Sequence, residues 1–472
     1  MFVWPCVLSI TGRADMKKYI TLLTCLIASL KLYAQYVPVF RPLRYDDDFS
    51  YLRTDSARNV YEKVKFIPIG SNPESYISFG GELRYQFFIV KNENWGDARK
   101  PNDLYLLSRY QGHADLHFTN AIRVFIQLQS SLSNSKIEPS AVDNNPIDLH
   151  QAFVDFKLFE QSGHKLLFRA GRQEMRYGSQ RLISLRERPN SRQSFDGLKI
   201  ISKQKDFSID AFYTQPVANR PGNFDDGLNR NAKLWGGYAV IEKIPVVGNA
   251  DLYYLGLWKA NSIYESLSGK ELRHTLGFRI WEEKGNLKYD FESAYQFGQI
   301  GKEVTSGWTV SANTSYTFSG IRFQPKIGLK TEAISGDKRP DDGRLETFNP
   351  LYPRGAYFGL AALVGPMNLY DIHPSLQLDL TKKLNLNIDY DLFWRLSDAD
   401  GVYAPNLQII YQGNGRSEHY IGSQLAANLD YQFNPFIFVS IEGTWARPGD
   451  FLKRVGPGRN ILFSGITAQL KF

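Results

Sequence analysis

The sequence predicts an all-β fold: a transmembrane antiparallel β-barrel of about eighteen strands, with short periplasmic turns and long extracellular loops. Three observations predict it. From Ser75 to Phe472 the chain is a ladder of runs in which every second side chain is apolar and the residues between are polar, charged or glycine. Period two marks a strand with one apolar face and one wet face. Leu287, Tyr289, Phe291, Tyr295 and Phe297, for instance, interleave with Lys288, Asp290, Glu292 and Gln296. The runs are also long, roughly ten residues each, and carry more charge on one face than the strands of a soluble sandwich do. Finally, the connections between runs alternate long and short. A mean hydropathy of -0.34 and 22% charged residues exclude a bundle of apolar spanning helices.

Taken in order, the first element is an export leader over residues 1–34. Met16, Lys17 and Lys18 form a basic start, Tyr19 to Leu30 an apolar stretch, and Leu32-Tyr33-Ala34 a small-residue cleavage site before Gln35. Residues 1–15 precede this unit and contain Asp15, so they read as an over-extended start with Met16 as initiator. Cys6 and Cys25 are the only cysteines. Both fall in the leader, and Leu22-Leu23-Thr24 before Cys25 is a poor lipidation signal. The mature chain therefore has no disulfide framework and no thiol chemistry. The leader carries four basic residues and one acidic, so the whole-chain charge of +8 falls to +5 after processing.

Residues 35–74 show no strong periodicity and read as a periplasmic N-terminal arm or plug. The barrel occupies 75–472. Its expected strands are 75–91, 104–119, 121–131, 147–159, 164–174, 195–203, 206–216, 231–242, 249–259, 272–282, 286–298, 305–318, 321–334, 367–381, 383–395, 418–431, 435–446 and 461–472. Loops near 92–103, 132–146, 175–194, 217–230, 260–271, 335–366, 396–417 and 447–460 are long, and 299–304 is intermediate. The turns near 119–121, 203–206, 319–321 and 431–435 are short. An even count returns both termini to the periplasm, and an error of one strand would break the alternation; sixteen strands result if two runs merge. Trp308, Tyr316, Phe318, Trp394, Trp445 and Phe472 at strand ends suit interfacial girdles.

A barrel of this size holds a wet lumen, so the polar face is the functional surface. By parity it includes Glu82, Arg84, Arg109, His113, Arg123, Gln127, Gln129, Gln151, Asp155, Arg169, Gln173 and Arg279. On the thirteenth strand Arg322, Gln324, Lys326, Lys330 and Glu332 share a face, followed by Asn385, Asn387, Asp389, Asp391 and Arg395. A wet interior must be polar whatever passes through it. The less ordinary features are the cation run at 322, 326 and 330 and the basic loop RQEMRYGSQRLISLRERPNSRQSFDG from residue 172, with Arg176, Arg181, Arg186, Arg188 and Arg192. Cationic rings favour anions. That loop either folds inward as a constriction or faces the anionic outer leaflet.

These residues carry a resemblance. GGELRYQF (80–87), LHQAFVDFKL (149–158), FRAGRQEMRYGSQRL (168–182), NSRQSFDGLKI (190–200), SGD (335–337) and TFNPLYPRGAYFG (347–359) are similar to stretches of the alginate export family. The resemblance covers essentially the mature barrel and is strongest from the fifth strand to the sixth. It implies an eighteen-stranded outer-membrane channel with an arginine-lined conduit for an acidic polysaccharide, gated by loops and a periplasmic turn. It implies Arg84, Asp155, Arg169, Arg172, Arg176, Arg181, Arg192, Asp196 and Asp337 as lining or substrate-binding positions. Strict parity from Phe168 and Ala170 points Arg172 towards lipid, unless Gly171 forms a bulge or the residue sits at the rim. Asp337, Asp341 and Asp342 read as a solvated acidic loop rather than a calcium site.

The expected activity is passive conduction in the outer membrane of a Gram-negative bacterium, by a monomeric barrel with no enzyme activity, no cofactor, no metal and no nucleic-acid partner. No HExxH, GxSxG or P-loop pattern is present, and His113, His117 and His150 read as lumen or interface residues. The partners are outer-membrane lipid, an anionic polysaccharide or small anionic solute, and periplasmic export proteins. The rival functions are a nutrient porin for small anionic or sugar solutes, an outer-membrane enzyme, and a barrel that anchors partners through residues 35–74.

Overall fold

The computed structural model describes residues 38–55 and 58–472; the leader falls outside the described residues. Eighteen long strands form the wall: β1 Tyr76–Lys91, β2 Asp103–His117, β3 Ile122–Asn134, β4 Asn145–Gln161, β5 His164–Gln173, β6 Phe195–Lys203, β7 Phe207–Ala218, β8 Ala232–Ile244, β9 Gly248–Ile263, β10 Ser268–Lys284, β11 Leu287–Ile300, β12 Glu303–Thr317, β13 Lys326–Ile334, β14 Leu369–Thr381, β15 Leu384–Trp394, β16 Tyr420–Gln432, β17 Ile437–Pro448 and β18 Ile461–Lys471. Each pairs antiparallel with its neighbours in sequence, and β1 pairs with β18 from Glu82↔Lys471 to Lys91↔Leu462. That last ladder closes the barrel and leaves no open edge.

Alternation along each strand sorts side chains inside out relative to a soluble protein. Leu198, Ile200, Leu252, Leu276, Phe278, Ile327, Leu329 and Ile441 are exposed on the outer face, whereas Glu82, Arg109, Gln151, Glu271, Arg273, Asp371 and Asp391 are fully buried inside. Tyr316, Phe318, Trp445 and Phe472 remain exposed near strand ends, as girdle residues should.

The strand count and order match the alternation. Two boundaries differ. The expected long loop at 260–271 is a tight connection, because β9 runs to Ile263 and β10 starts at Ser268, with a register shift between Lys259 and Ser262. The thirteenth strand starts at Lys326, not 321. Residues 318–325 make a turn in which Phe323 and Gln324 take positive φ, which ends the period-two geometry that parity counting assumes.

Two extracellular loops fold back into the lumen. Residues 174–194 and 335–368 run together there: Tyr352 N donates to Leu182 O (2.8 Å), and Ser184 N to Tyr352 O (3.1 Å). Met175, Leu182, Ile183, Phe348, Leu351, Tyr357 and Phe358 pack with Leu234, Leu255 and Leu257 of the wall in one buried cluster. The interior thus carries an apolar core of its own, made by loops, inside a polar wall.

The described part of the arm closes on the periplasmic mouth. A short helix, α1 Val60–Lys65, is capped by Asn59 and Glu62 in a reciprocal box. Phe49, Leu52 and Phe66 pack on Tyr76 at the foot of β1. Arg44 bridges the closing seam, donating to Gly81 O and Phe472 O, both at 2.9 Å. Tyr45 enters the lumen, packs on Phe125 and Phe153, and donates to Glu174 O (2.9 Å).

Candidate functional site

The inward-folded basic loop leaves β5 at Gln173 and is pinned where it turns. The Asn190 amide donates to the carbonyls of Ser108, Leu132 and Asp143 at 3.0–3.1 Å. This fixes the next residues over the wet faces of β1 and β2. Arg84 Nη1 donates to Glu187 O (2.8 Å), and Arg109 Nη2 to Glu82 Oε1 (2.7 Å) and to the Glu187 carboxylate. Arg192 Nη2 lies 2.5 Å from Glu187 Oε2 and 3.6 Å from Glu82 Oε2, with Nη1 3.6 Å from Glu174 Oε1. His150 Nε2 is 2.8 Å from the same Glu174 oxygen. Three arginines and three glutamates therefore balance in one network, buried except at Glu187, whose side chain is 48% exposed. Such a network holds the loop in place, because removing one member leaves a charge without its partner.

The same pairing recurs around the wall. Arg169 forks onto Asp155 (2.7 and 2.9 Å), and its guanidinium lies 4.2 Å from the Tyr45 ring centre. Arg123 meets Asp115 at 2.6 Å and Asp155 at 3.7 Å. Arg279 bridges Asp290 and Asp251 at 2.7 and 2.8 Å, and Lys330 lies 2.8 Å from Glu332. Arg181 reaches across the lumen to Tyr357 Oη (2.6 Å), Thr309 Oγ1 (2.7 Å) and Glu332 (3.5 Å). The expected cationic lining is thus a set of neutralised arginine–carboxylate pairs.

Five expected lining positions are elsewhere. Arg322 sits exposed in the 318–325 turn with its guanidinium 4.5 Å from the Phe323 ring centre, so the run of three lumen cations does not form. Arg322→Glu should leave the reversal potential of the channel unchanged; a shift towards cations in a planar bilayer would contradict this placement. Arg172 and Asp196 pair with each other at 2.8 and 3.0 Å. They share the face opposite Gln173 and Phe195, because the β5–β6 register stays unbroken through Gly171. Arg395 is buried beyond the end of β15, where it donates to the carbonyls of Asp398, Asp400 and Glu418 and lies 4.0 Å from the Phe451 ring centre. It staples an extracellular loop. Asp337 accepts from Ser266 Oγ (2.8 Å) and its amide donates to Asp400, so it is a buried loop pin, apart from the exposed Asp341 and Asp342. Burial pushes the Asp400 carboxyl up from its ordinary range.

Among the described residues five arginines of the inward loops have no carboxylate within ion-pair distance: Arg176, Arg186, Arg188, Arg354 and the exposed Arg344. Arg188 Nε donates to Leu360 O (2.8 Å), and Arg186 lies 5.9 Å from the Tyr352 ring centre. Arg176 faces a cavity of about 690 Å³ at the periplasmic mouth, lined also by Arg123, Arg169 and Lys199 and by Asp46, Asp47 and Asp48 of the arm. Lys326, at the foot of β13, is half-buried and likewise without a carboxylate partner among these residues.

Sequence reasoning missed Glu174, Glu187, Asn190, Tyr45 and Tyr357, which position the arginines it did find. It also missed His373. Two groups of three metal-ligating side chains meet among the described residues: Asp371 with His373 and Asp391, and Asp148 with Asp225 and Asp226.

No curated protein matches the chain significantly. Among solved structures the barrel is similar to *Acinetobacter baumannii* OccAB1, with 12% identity, a TM-score of 0.55, and 87% of this chain and 100% of that one covered. A BenF-like porin from *Pseudomonas fluorescens* Pf-5 gives 10% identity and a TM-score of 0.55 over 84% and 98%. *Pseudomonas aeruginosa* OccK3 gives 12% and 0.53 over 84% and 95%. These likenesses establish the fold. The alginate export profile matches residues 75–460, from the first strand nearly to the last. The protein is an outer-membrane channel of a Gram-negative bacterium, and the chain belongs to the alginate export family.

Proposed function

We propose that the barrel passively conducts an anionic polysaccharide, an alginate-like polyuronate, through its arginine-bearing lumen. The observation that carries this reading is the set of loop arginines without carboxylate partners. Wall arginines already held by Asp or Glu have little attraction left for a passing anion. Arg176, Arg186, Arg188 and Arg354 keep theirs, and a guanidinium fork suits a uronate carboxylate. Each contact is one of several along the path, so a polymer can step from site to site without being trapped. The family match supports the same substrate class.

A second reading, a porin for small anionic or sugar solutes, draws on the inward loops, whose apolar cluster packs against the lumen wall. Single-channel current in planar bilayers separates the two. Under the export reading the channel is anion-selective, and polyuronate blocks it while a neutral polymer of equal size does not. A pore indifferent to both polymers would favour the small-solute reading.

A further inference from the structure

We infer that the lumen wall at β14 and β15 is a binding site for one divalent transition-metal cation, with Asp371, His373 and Asp391 as ligands. The two strands are joined by a two-residue turn and paired with Ile372 opposite Leu392 and Ser375 opposite Asp389. That register sets His373 across from Asp391, with Asp371 one pleat further along the same inward face. One ligand atom from each of the three lies within 4.8 Å of the others. Bonds of about 2.0–2.2 Å to a tetrahedral ion need ligand atoms roughly 3.4 Å apart, so side-chain rotation of about an ångström seats the ion.

The contacts leave Asp371 free and set the other two ligand atoms against each other. Asp371 is fully buried and neither of its carboxylate oxygens has a hydrogen-bond partner among the described residues. Fully buried Asp391 accepts from the Gln424 amide on Oδ2, while Oδ1 faces His373 Nδ1. His373 Nε2 is 3.1 Å from Asp389 Oδ1 and Nδ1 is 2.5 Å from Asp391 Oδ1, so the ring bridges two carboxylates, and a metal ion bound at Nδ1 would take the place of the proton between Nδ1 and Asp391. A carboxylate behind the far nitrogen is how proteins orient a ligating imidazole. Elsewhere in this wall a buried carboxylate has a cation beside it, as Glu82 has Arg109, Asp155 has Arg169 and Glu271 has Arg273. Asp371 has none within ion-pair distance among the described residues, and an uncompensated buried carboxylate is costly.

Charge points to a divalent ion. Asp371, Asp389, Asp391 and Glu332 stand against Lys330, 2.8 Å from Glu332, and Arg181, 3.5 Å from it. Once the Nδ1 proton is released to solvent the group is two charges negative. One imidazole nitrogen and two carboxylate oxygens suit Zn²⁺, Co²⁺ or Mn²⁺ better than Ca²⁺, which prefers oxygen alone. Three protein ligands leave a coordination position for water or a carboxylate.

The inference does not depend on what the lumen conducts. Its test is metal titration of the processed protein in detergent, stripped with EDTA and then supplied with Zn²⁺, or with Co²⁺ for its visible absorption. One equivalent of Zn²⁺ per chain is expected. Asp371→Asn and His373→Gln should each weaken binding at least tenfold, and Asp148→Asn, in the other acidic group, should leave it unchanged. Heat-modifiable electrophoretic mobility identifies the variants that are folded barrels, and Asp391→Asn substitutes for any that are not. Less than a tenth of an equivalent bound by the folded wild type overturns the site. So does binding that survives loss of both Asp371 and His373.

Discussion

Arg109→Met should cost the folded barrel about 3–5 kcal/mol, the range for leaving one member of a buried ion pair alone. Both Arg109 and Glu82 are fully buried, and their 2.7 Å contact lies beneath the Glu187 carboxylate of the inward loop. Methionine fills the volume of the arginine stem but gives neither glutamate a donor. The companion variant Glu82→Gln with Arg109→Met removes the stranded charge and should recover most of the loss. Urea unfolding in lipid vesicles measures both. A single-variant loss below about 1 kcal/mol would show that Arg84 and Arg192 suffice to hold Glu82. The loop should also loosen in Arg109→Met, because Glu187 loses one of its three arginines, and current noise in the open channel should rise.

Reversing four loop arginines, Arg176, Arg186, Arg188 and Arg354, to glutamate should change the sign of ion selectivity and abolish block by polyuronate. A hydrogen bond to a charged group contributes about 1.5–3 kcal/mol, so loss of even one contact weakens block roughly tenfold, and replacing attraction by repulsion at all four exceeds that. The comparison that matters is a matched reversal of paired wall cations such as Arg279, held by Asp251 and Asp290. If selectivity follows the wall residues and ignores the loop, the loop arginines are not the conducting surface.

Strand number, order and the sorting of side chains between lumen and lipid were legible because each follows from period two, and a barrel wall keeps that period for many residues. Arg84, Arg109, Arg123, Asp155, Arg169, Arg279 and Lys330 all point inward as parity requires. Parity fails where the strand does. Arg322 lies in a turn whose positive φ angles break the alternation, and Arg395 follows the last residue of β15. For Arg172 strict parity held, and it was the motif that pointed inward.

What alternation cannot convey is the partner across the lumen. Whether Arg181 is free or bound to Tyr357 and Glu332 depends on contacts 151 or more residues away in sequence. His373 was within reach: Asp371 and His373 share a face of one strand, Asp389 and Asp391 a face of the next, and the turn between them is short enough to align the four.

Arg44 joins the carbonyls of Gly81 and Phe472, and its bond to Phe472 spans 428 positions of sequence. Neither carbonyl is beside the other until the first and last strands have met, so the arm has no complete docking point on a half-built sheet. Its seating is therefore a checkpoint on assembly: a protease that cuts the arm only while it is undocked would time the moment at which the wall becomes a closed ring.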